Sequence, residues 1–440
     1  MKYAFWIAGL LLCWAGPAAA DIFSYRYEQA KLPNGLTLIV VPLASHGLLT
    51  YFSVVRTGSR DEIEPGRSGF AHFFEHMMFR GTKKYPQAAY QRIVAGMGAQ
   101  ANAFTTDDFT AFHLTVTRDD LEKVVQIESD RFQNLFYEKP AFQTEAGAVY
   151  GEYRKNMTQP MALLNEKTHD VAFDLQTYKH TTMGFEADIK RMPEAYDYSR
   201  EFFQRFYRPE NVVLLIVGDV DMPTARGLVS KYYGDWKPGY VAPEVPVEPL
   251  QTAPRTAEIR YPGATLPLVT MAYKGDRFDP GNRDYVAAIV LGDLAFGPTS
   301  QLYKRLVLRE QKAEFIGASI PMNRDPTLFE VVAMVKQPGD LAEVQKAIDQ
   351  TLGQFQTKVV DPQMLRDVKR HHKYSFLTDL ESTDKVANHL TRFVALTGGI
   401  EAVDRLYSAI DQVTPADVMH AAQKYFVAQE RTVVVLKGSQ

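Results

Sequence analysis

The sequence predicts an α+β protein made of two homologous halves, each a mainly antiparallel sheet with helices packed on one face. Three observations predict it. Short apolar segments of period two are followed by longer segments of helical spacing, the pattern of strands and then helices in one layer pair. That order of elements occurs twice, which marks distant repeats even where residue identity is low. Between the two runs lie Pro238, Pro243, Pro246, Pro249 and Pro254, a density that favours an extended, semi-rigid linker and forbids a long helix. A chain of 440 residues also exceeds what one hydrophobic core usually serves. The expected division is a leader at 1–20, a metal-bearing domain at 21–237, a Pro-rich linker at 238–255, and a second domain at 256–440 without metal ligands.

In the first half, 36–41 and 50–55 read as strands and Asn34-Gly35 as a turn. A helix then carries His72-Phe73-Phe74-Glu75-His76, and Gly81 supplies its C-terminal stop. Residues 109–116 alternate as a strand, 119–135 have helical spacing, and 211–217 form a closing strand. The second half repeats this order. It has a strand at 266–273, a helix at 284–295, a strand at 328–335, a helix at 341–355 and a last strand at 432–436. Where the first half has its two histidines, the second has Leu291-Gly292-Asp293-Leu294-Ala295-Phe296-Gly297. That stretch contains no ligand pattern, so only the first half is expected to hold a metal.

Helical positions i, i+3 and i+4 are neighbours, so His72, Glu75 and His76 project from one face. Two neutral imidazoles so placed can ligate one Zn²⁺, with Glu75 acting on water in the open position. The order His-x-x-Glu-His inverts the commoner His-Glu-x-x-His and is the inverzincin signature. A catalytic zinc takes three protein ligands, so a third donor must arrive from elsewhere in the chain. Glu152 is the candidate. Glu145, seven residues earlier, shares its helical face and would hold a ligand histidine in one tautomer, the alternative being a solvated carboxylate.

The first twenty residues describe a secretory leader, with Lys2 in a basic n-region, an apolar stretch over 3–14, and Ala18-Ala19-Ala20 before Asp21. Export, most simply to a bacterial periplasm, is the expectation. No later stretch offers about eighteen uninterrupted apolar residues, so no membrane span is expected. The single cysteine, Cys13, lies in the leader, and a mature chain without thiols suits export. A charged fraction of 23% and a formal net charge of −3 give no electrostatic footprint for nucleic acid, and nucleic-acid binding is disfavoured.

With Glu152 following His76 by 76 positions, the pattern resembles the pitrilysin/insulinase family of zinc metallopeptidases, which includes the mitochondrial processing peptidase. Further matches are Thr57-Gly58-Ser59-Arg60-Asp61-Glu62, Gly98-Ala99-Gln100-Ala101-Asn102-Ala103-Phe104-Thr105-Thr106-Asp107, and Phe206-Tyr207-Arg208-Pro209-Glu210-Asn211 leading into Val217-Gly218-Asp219-Val220. The resemblance implies one zinc per chain on His72, His76 and Glu152, with Glu75 as general base in hydrolysing peptide bonds. It implies a chamber closed by the other half or by a partner chain, admitting unfolded peptides and excluding folded proteins.

In the family a strand beside the zinc receives the peptide. Ala101, Asn102, Ala103 and Phe104 match it, and their small alternating residues suit an exposed edge to which a peptide adds backbone hydrogen bonds. An ordinary edge strand is the plainer reading. Many members also carry an arginine followed by a tyrosine in the second half to stabilise the oxyanion. Arg309 matches the arginine; the tyrosine position falls on Phe315, which cannot donate a hydrogen bond. The departure leads to the expectation of a paralogous, metal-less partner supplying the missing donor, a homodimer being the rival. A non-catalytic assembly subunit is the remaining alternative, disfavoured because all three ligands and Glu75 are present. His371-His372 read as a solvated face, and His113 as packed.

Overall fold

The computed structural model describes residues 22–439, so the leader expected at 1–20 lies outside the described residues. The fold class is as predicted: two sheets flanked by helices. The first contains β1 (Glu28–Lys31), β2 (Thr37–Pro42), β3 (Leu48–Val55), β4 (Gln100–Thr105), β5 (Thr110–Thr117) and β6 (Val212–Gly218), in the order β1-β2-β6-β3-β5-β4. The second contains β7 (Arg255–Tyr261), β8 (Leu268–Lys274), β9 (Ala313–Ser319), β10 (Leu328–Val335) and β11 (Arg431–Gly438), in the order β7-β11-β8-β10-β9. Apart from β1, the two sheets trace one path. Each has a single parallel pair, β2 with β6 and β7 with β11, and the other neighbours are antiparallel. The residues at 238–254, between the halves, form no helix or strand.

The interior strands are apolar without a break because both faces of each sheet are covered. In β6, Val212, Leu214 and Ile216 join one core while Val213, Leu215 and Val217 join another. The first core lies under the half's own helices and includes Phe70, Phe73, Phe74 and Met77 of the motif helix. The second is shared with the other half: Val386, Leu390 and Val394, from the helix Thr383–Thr397, pack with Phe52 and Val54 of β3. The exchange is reciprocal. The first-half helix Pro160–Ala172 lies across the second sheet, where Leu164 packs with Leu268, Val434 and Leu436. Each half therefore covers one face of its sheet with its own helices and lends one helix to the other.

Polar contacts fasten the same boundary. Arg60 engages Asp325 with Nε at 2.7 Å and Nη2 at 3.1 Å, and Arg324 donates through Nη2 to the carbonyls of Arg56 and Asp108, both at 2.6 Å. The Tyr178 hydroxyl donates to Asp108 at 2.7 Å and accepts the Asp325 N–H at 3.3 Å.

Candidate metal centre

The motif helix runs from Phe70 to Met77, and its start is built by a carboxylate. Glu62 accepts the N–H of Gly69 at 2.7 Å and of Ala71 at 2.6 Å, satisfying donors that a helix N-terminus leaves free. Gly69 has φ +91°, and a Cβ there would lie 2.7 Å from the carbonyl oxygen of Met183, so only glycine fits. A 3₁₀ turn over Met78–Arg80 follows the helix, and Gly81 at φ +85° ends it.

His72 and His76 meet Glu152 from the helix Lys139–Asn156, which packs on the motif helix. Oε2 of Glu152 is 3.3 Å from Nε2 of His76 and 3.8 Å from Nε2 of His72, and one donor atom from each of the three lies within 4.8 Å of the others. A tetrahedral ion about 2.1 Å from each donor spaces them about 3.4 Å apart, so this set fits one zinc. The environment fits as well. His72 is buried, its Nδ1 has no hydrogen-bond partner, and burial beside His76 pushes its pKa down to about 4. A neutral imidazole whose Nε2 faces the other two donors is suited to a metal.

His76 is oriented by Glu145, which accepts from Nδ1 at 2.9 Å and leaves Nε2 toward Glu152. That hydrogen bond is the main reason the pKa of His76 is raised. Arg80 donates to the other oxygen of Glu145 through Nε at 2.6 Å and also through Nη2. Together His76 and Arg80 hold Glu145 ionised against the desolvation of its buried site. Glu75 is half-buried on the same helix. Burial raises its pKa, while the Thr105 hydroxyl, donating to Oε2 at 2.6 Å, and the nearby His76 pull it back.

Thr105 ends β4, which forms the sheet edge with β5 on one side only. Ala101 and Asn102 are exposed, Ala103 is buried against the core, and Phe104 packs edge-on against Phe109. The residues proposed from sequence to receive the peptide are thus brought to an open edge beside the motif helix. Arg309 is not brought to the three donors by any described contact. It is exposed at the end of a π-helical turn, with no hydrogen bond or ion pair among the described residues. Phe315 is exposed on β9, opposite Met334.

The roles of Glu62 and Arg80 and the contact of Thr105 with Glu75 were not read from the sequence. Arg80 was within reach, because it sits one turn beyond His76. Glu62 was not, since its partners lie seven and nine residues away across a loop. His113 stacks on Phe52 with ring centres 4.6 Å apart, and His372 lies 3.0 Å from Asp293. Among the described residues, His72, His76 and Glu152 are the one group of three or more such donors close enough to share an ion.

The family model described as insulinase (peptidase family M16) matches residues 51–186, which contain all three donors, and the model for the peptidase M16 inactive domain matches residues 195–371. The chain belongs to peptidase family M16. It is 26% identical over 435 residues to the zinc protease PqqE of Helicobacter pylori, covering 97% of this chain and 96% of that protein. The crystal structure of a protease from Helicobacter pylori superposes with a TM-score of 0.86 at 25% identity, covering 94% of this chain and all of that one. The periplasmic protease PqqL from Escherichia coli shares the fold, with a TM-score of 0.74 at 19% identity, covering 93% of this chain and 47% of that one. Among the described residues of this M16 member, no helix is long and apolar enough to cross a membrane.

Proposed function

We propose that this M16 member is a zinc-dependent endopeptidase acting on unfolded peptides within a chamber formed by its two halves and a partner chain. The observation that carries the reading is the meeting of His72, His76 and Glu152 within 4.8 Å, with the carboxylate of Glu75 on the same helix face. A zinc ion bound there supplies Lewis-acid activation of water and of the scissile carbonyl. Glu75 takes the proton from the attacking water and returns it to the leaving amine, a role suited to a carboxyl raised by burial. Glu145 fixes the tautomer of His76, and Arg80 fixes Glu145. The open side of β4 aligns the peptide backbone by strand addition.

The exposure of Phe315 and the lack of any partner to Arg309 among the described residues favour a second, paralogous chain that provides the missing oxyanion donor. A homodimer is the competing assembly. The apolar leader ahead of Asp21 supports export to the periplasm. The decisive test replaces Glu75 with Gln: zinc stays bound at one per chain and peptide cleavage falls by at least about a thousandfold. Normal cleavage by that variant would refute the role, and purified chain that takes up no zinc would favour the non-catalytic assembly reading. Full activity of the wild-type chain without a second polypeptide would end the heterodimer.

A further inference from the structure

A polar cavity of about 220 Å³ lies where the halves meet, lined by Asp107, His169 and Thr181 from the first and Ser319, Asn323 and Glu330 from the second. It has room for roughly seven waters at about 30 Å³ each. Its lining includes two carboxylates and no lysine or arginine. Asp107 is weakly tied, to Ser59 at 3.3 Å and to Asn323 at 3.4 Å. His169 places Nδ1 2.6 Å from the carbonyl of Tyr178, so Nδ1 carries the proton and Nε2 is left as an acceptor. The hydroxyl of Thr181 is buried without a partner.

Glu330 is the telling group. It sits on β10 in the alternation that places Val332 and Met334 under the helix Pro160–Ala172, so it shares a covered, apolar sheet face. Among the described residues no hydrogen bond and no ion pair reaches its carboxylate, and the residue keeps partial access to solvent. Burial raises its pKa, Asp107 adds to the rise, and His169 opposes it. A carboxylate without a protein partner, facing a cavity only partly open to water, favours a cationic ligand over a neutral one.

Short chain segments link the cavity to the candidate centre. Asp107 follows by two residues Thr105, whose hydroxyl holds Glu75, and two residues span at most about 7 Å. Thr181 begins the loop in which Met183 packs against Gly69 at the start of the motif helix.

We propose that this cavity is a subsite for a cationic group of the peptide, either a lysine or arginine side chain or its terminal ammonium, with Glu330 as the principal counter-charge and Asp107 as the second. The proposal rests on the peptidase reading. It deepens that reading by naming a specificity determinant contributed by the half that has no metal ligands.

The test measures binding of labelled peptides by fluorescence anisotropy to the full chain carrying Glu75→Gln, so that bound peptide is not consumed. Matched peptides differ only in lysine against norleucine, or in a free against an acetylated N-terminus. At least about tenfold weaker binding on one of these changes is expected, and which change it is identifies the source of the cation. Adding Glu330→Gln should bring the two members of that pair within about twofold, with no fall in the unfolding midpoint. Equal binding of both pairs, a preference that survives Glu330→Gln, or a midpoint lowered by several degrees would each overturn the subsite, the last by making Glu330 structural. Wild-type chain that selects cationic peptides yet cuts none would sink the peptidase reading and leave the subsite standing. Cleavage without cation preference would do the reverse.

Discussion

His76 and Glu145 are joined by a 2.9 Å hydrogen bond from Nδ1 to Oε1, and this contact decides which imidazole nitrogen faces Glu152. Replacing Glu145 with Gln keeps the shape but removes the charge shared with Arg80. Partners of this kind are typically worth about 10–100-fold in metal affinity. Competition for zinc against a chelator should show a loss in that range for Glu145→Gln, with the fold intact by circular dichroism.

The Thr105 hydroxyl lowers the pKa of Glu75, so Thr105→Val should raise it. A general base works ionised, and the acidic limb of the pH profile of kcat/KM therefore moves to higher pH. One lost hydrogen bond of about 1 kcal/mol corresponds to a displacement of somewhat under one pH unit. The profile measured between pH 5 and 9 checks both sign and size.

Arg60 and Asp325 bridge the halves with both partners mostly shielded from water. Asp325→Ala strips the Arg60 guanidinium of one of its two carboxylates, Asp61 remaining on Nη1 at 3.0 Å, and should cost about 1–3 kcal/mol, read from the urea midpoint. The same variant should be cut faster by a protease at 238–254, because the boundary next to that segment loosens.

Asp417 caps the helix Pro415–Tyr425 through Thr414 and pairs with Arg283, and these contacts depress its carboxyl to about 2. A depressed carboxyl contributes stability above its unfolded value of 3.8, and that contribution is lost as pH falls through about 2. Asp417→Asn should thus cost about 1 kcal/mol at neutral pH, because solvent around Arg283 screens the pair, with the gap to wild type closing between pH 4 and 2. Thermal midpoints across that range test the window.

Leu390 is fully buried in the core where the helix Thr383–Thr397 meets the first sheet. Leu390→Ala should cost about 2–5 kcal/mol and lower one shared unfolding transition, not only that of the second half. Two separated transitions in calorimetry would contradict this coupling.

Much of the centre could be read from the chain because its chemistry is local. The i, i+4 spacing of His72 and His76 and the seven-residue spacing of Glu145 and Glu152 each fix a shared helix face before any tertiary contact forms. Strands with strong alternation or continuous apolar runs, such as β10 and β6, were legible for the same reason. Three strands were not. β1 is four residues of mostly polar sequence, β7 alternates Arg, Ala, Ile and Tyr with polar residues just past the proline cluster, and β9 is interrupted by Gly317. The exchanged helices Pro160–Ala172 and Thr383–Thr397 were recognisable at most as amphipathic segments. Which sheet each covers depends on contacts more than a hundred residues away, and periodicity carries no information about that. Glu330 was passed over because a lone acid in an apolar strand looks like a solvent-facing position until the other half is laid over it.

The lent helices make the two halves mutual chaperones. Produced alone, either would display a bare greasy sheet and clump, whereas a molecule nicked within 238–254 would remain one particle, since each fragment is clasped by a limb of the other. Release of a half is therefore not a step available to this protein, and any opening between the halves must come from flexing at the seam.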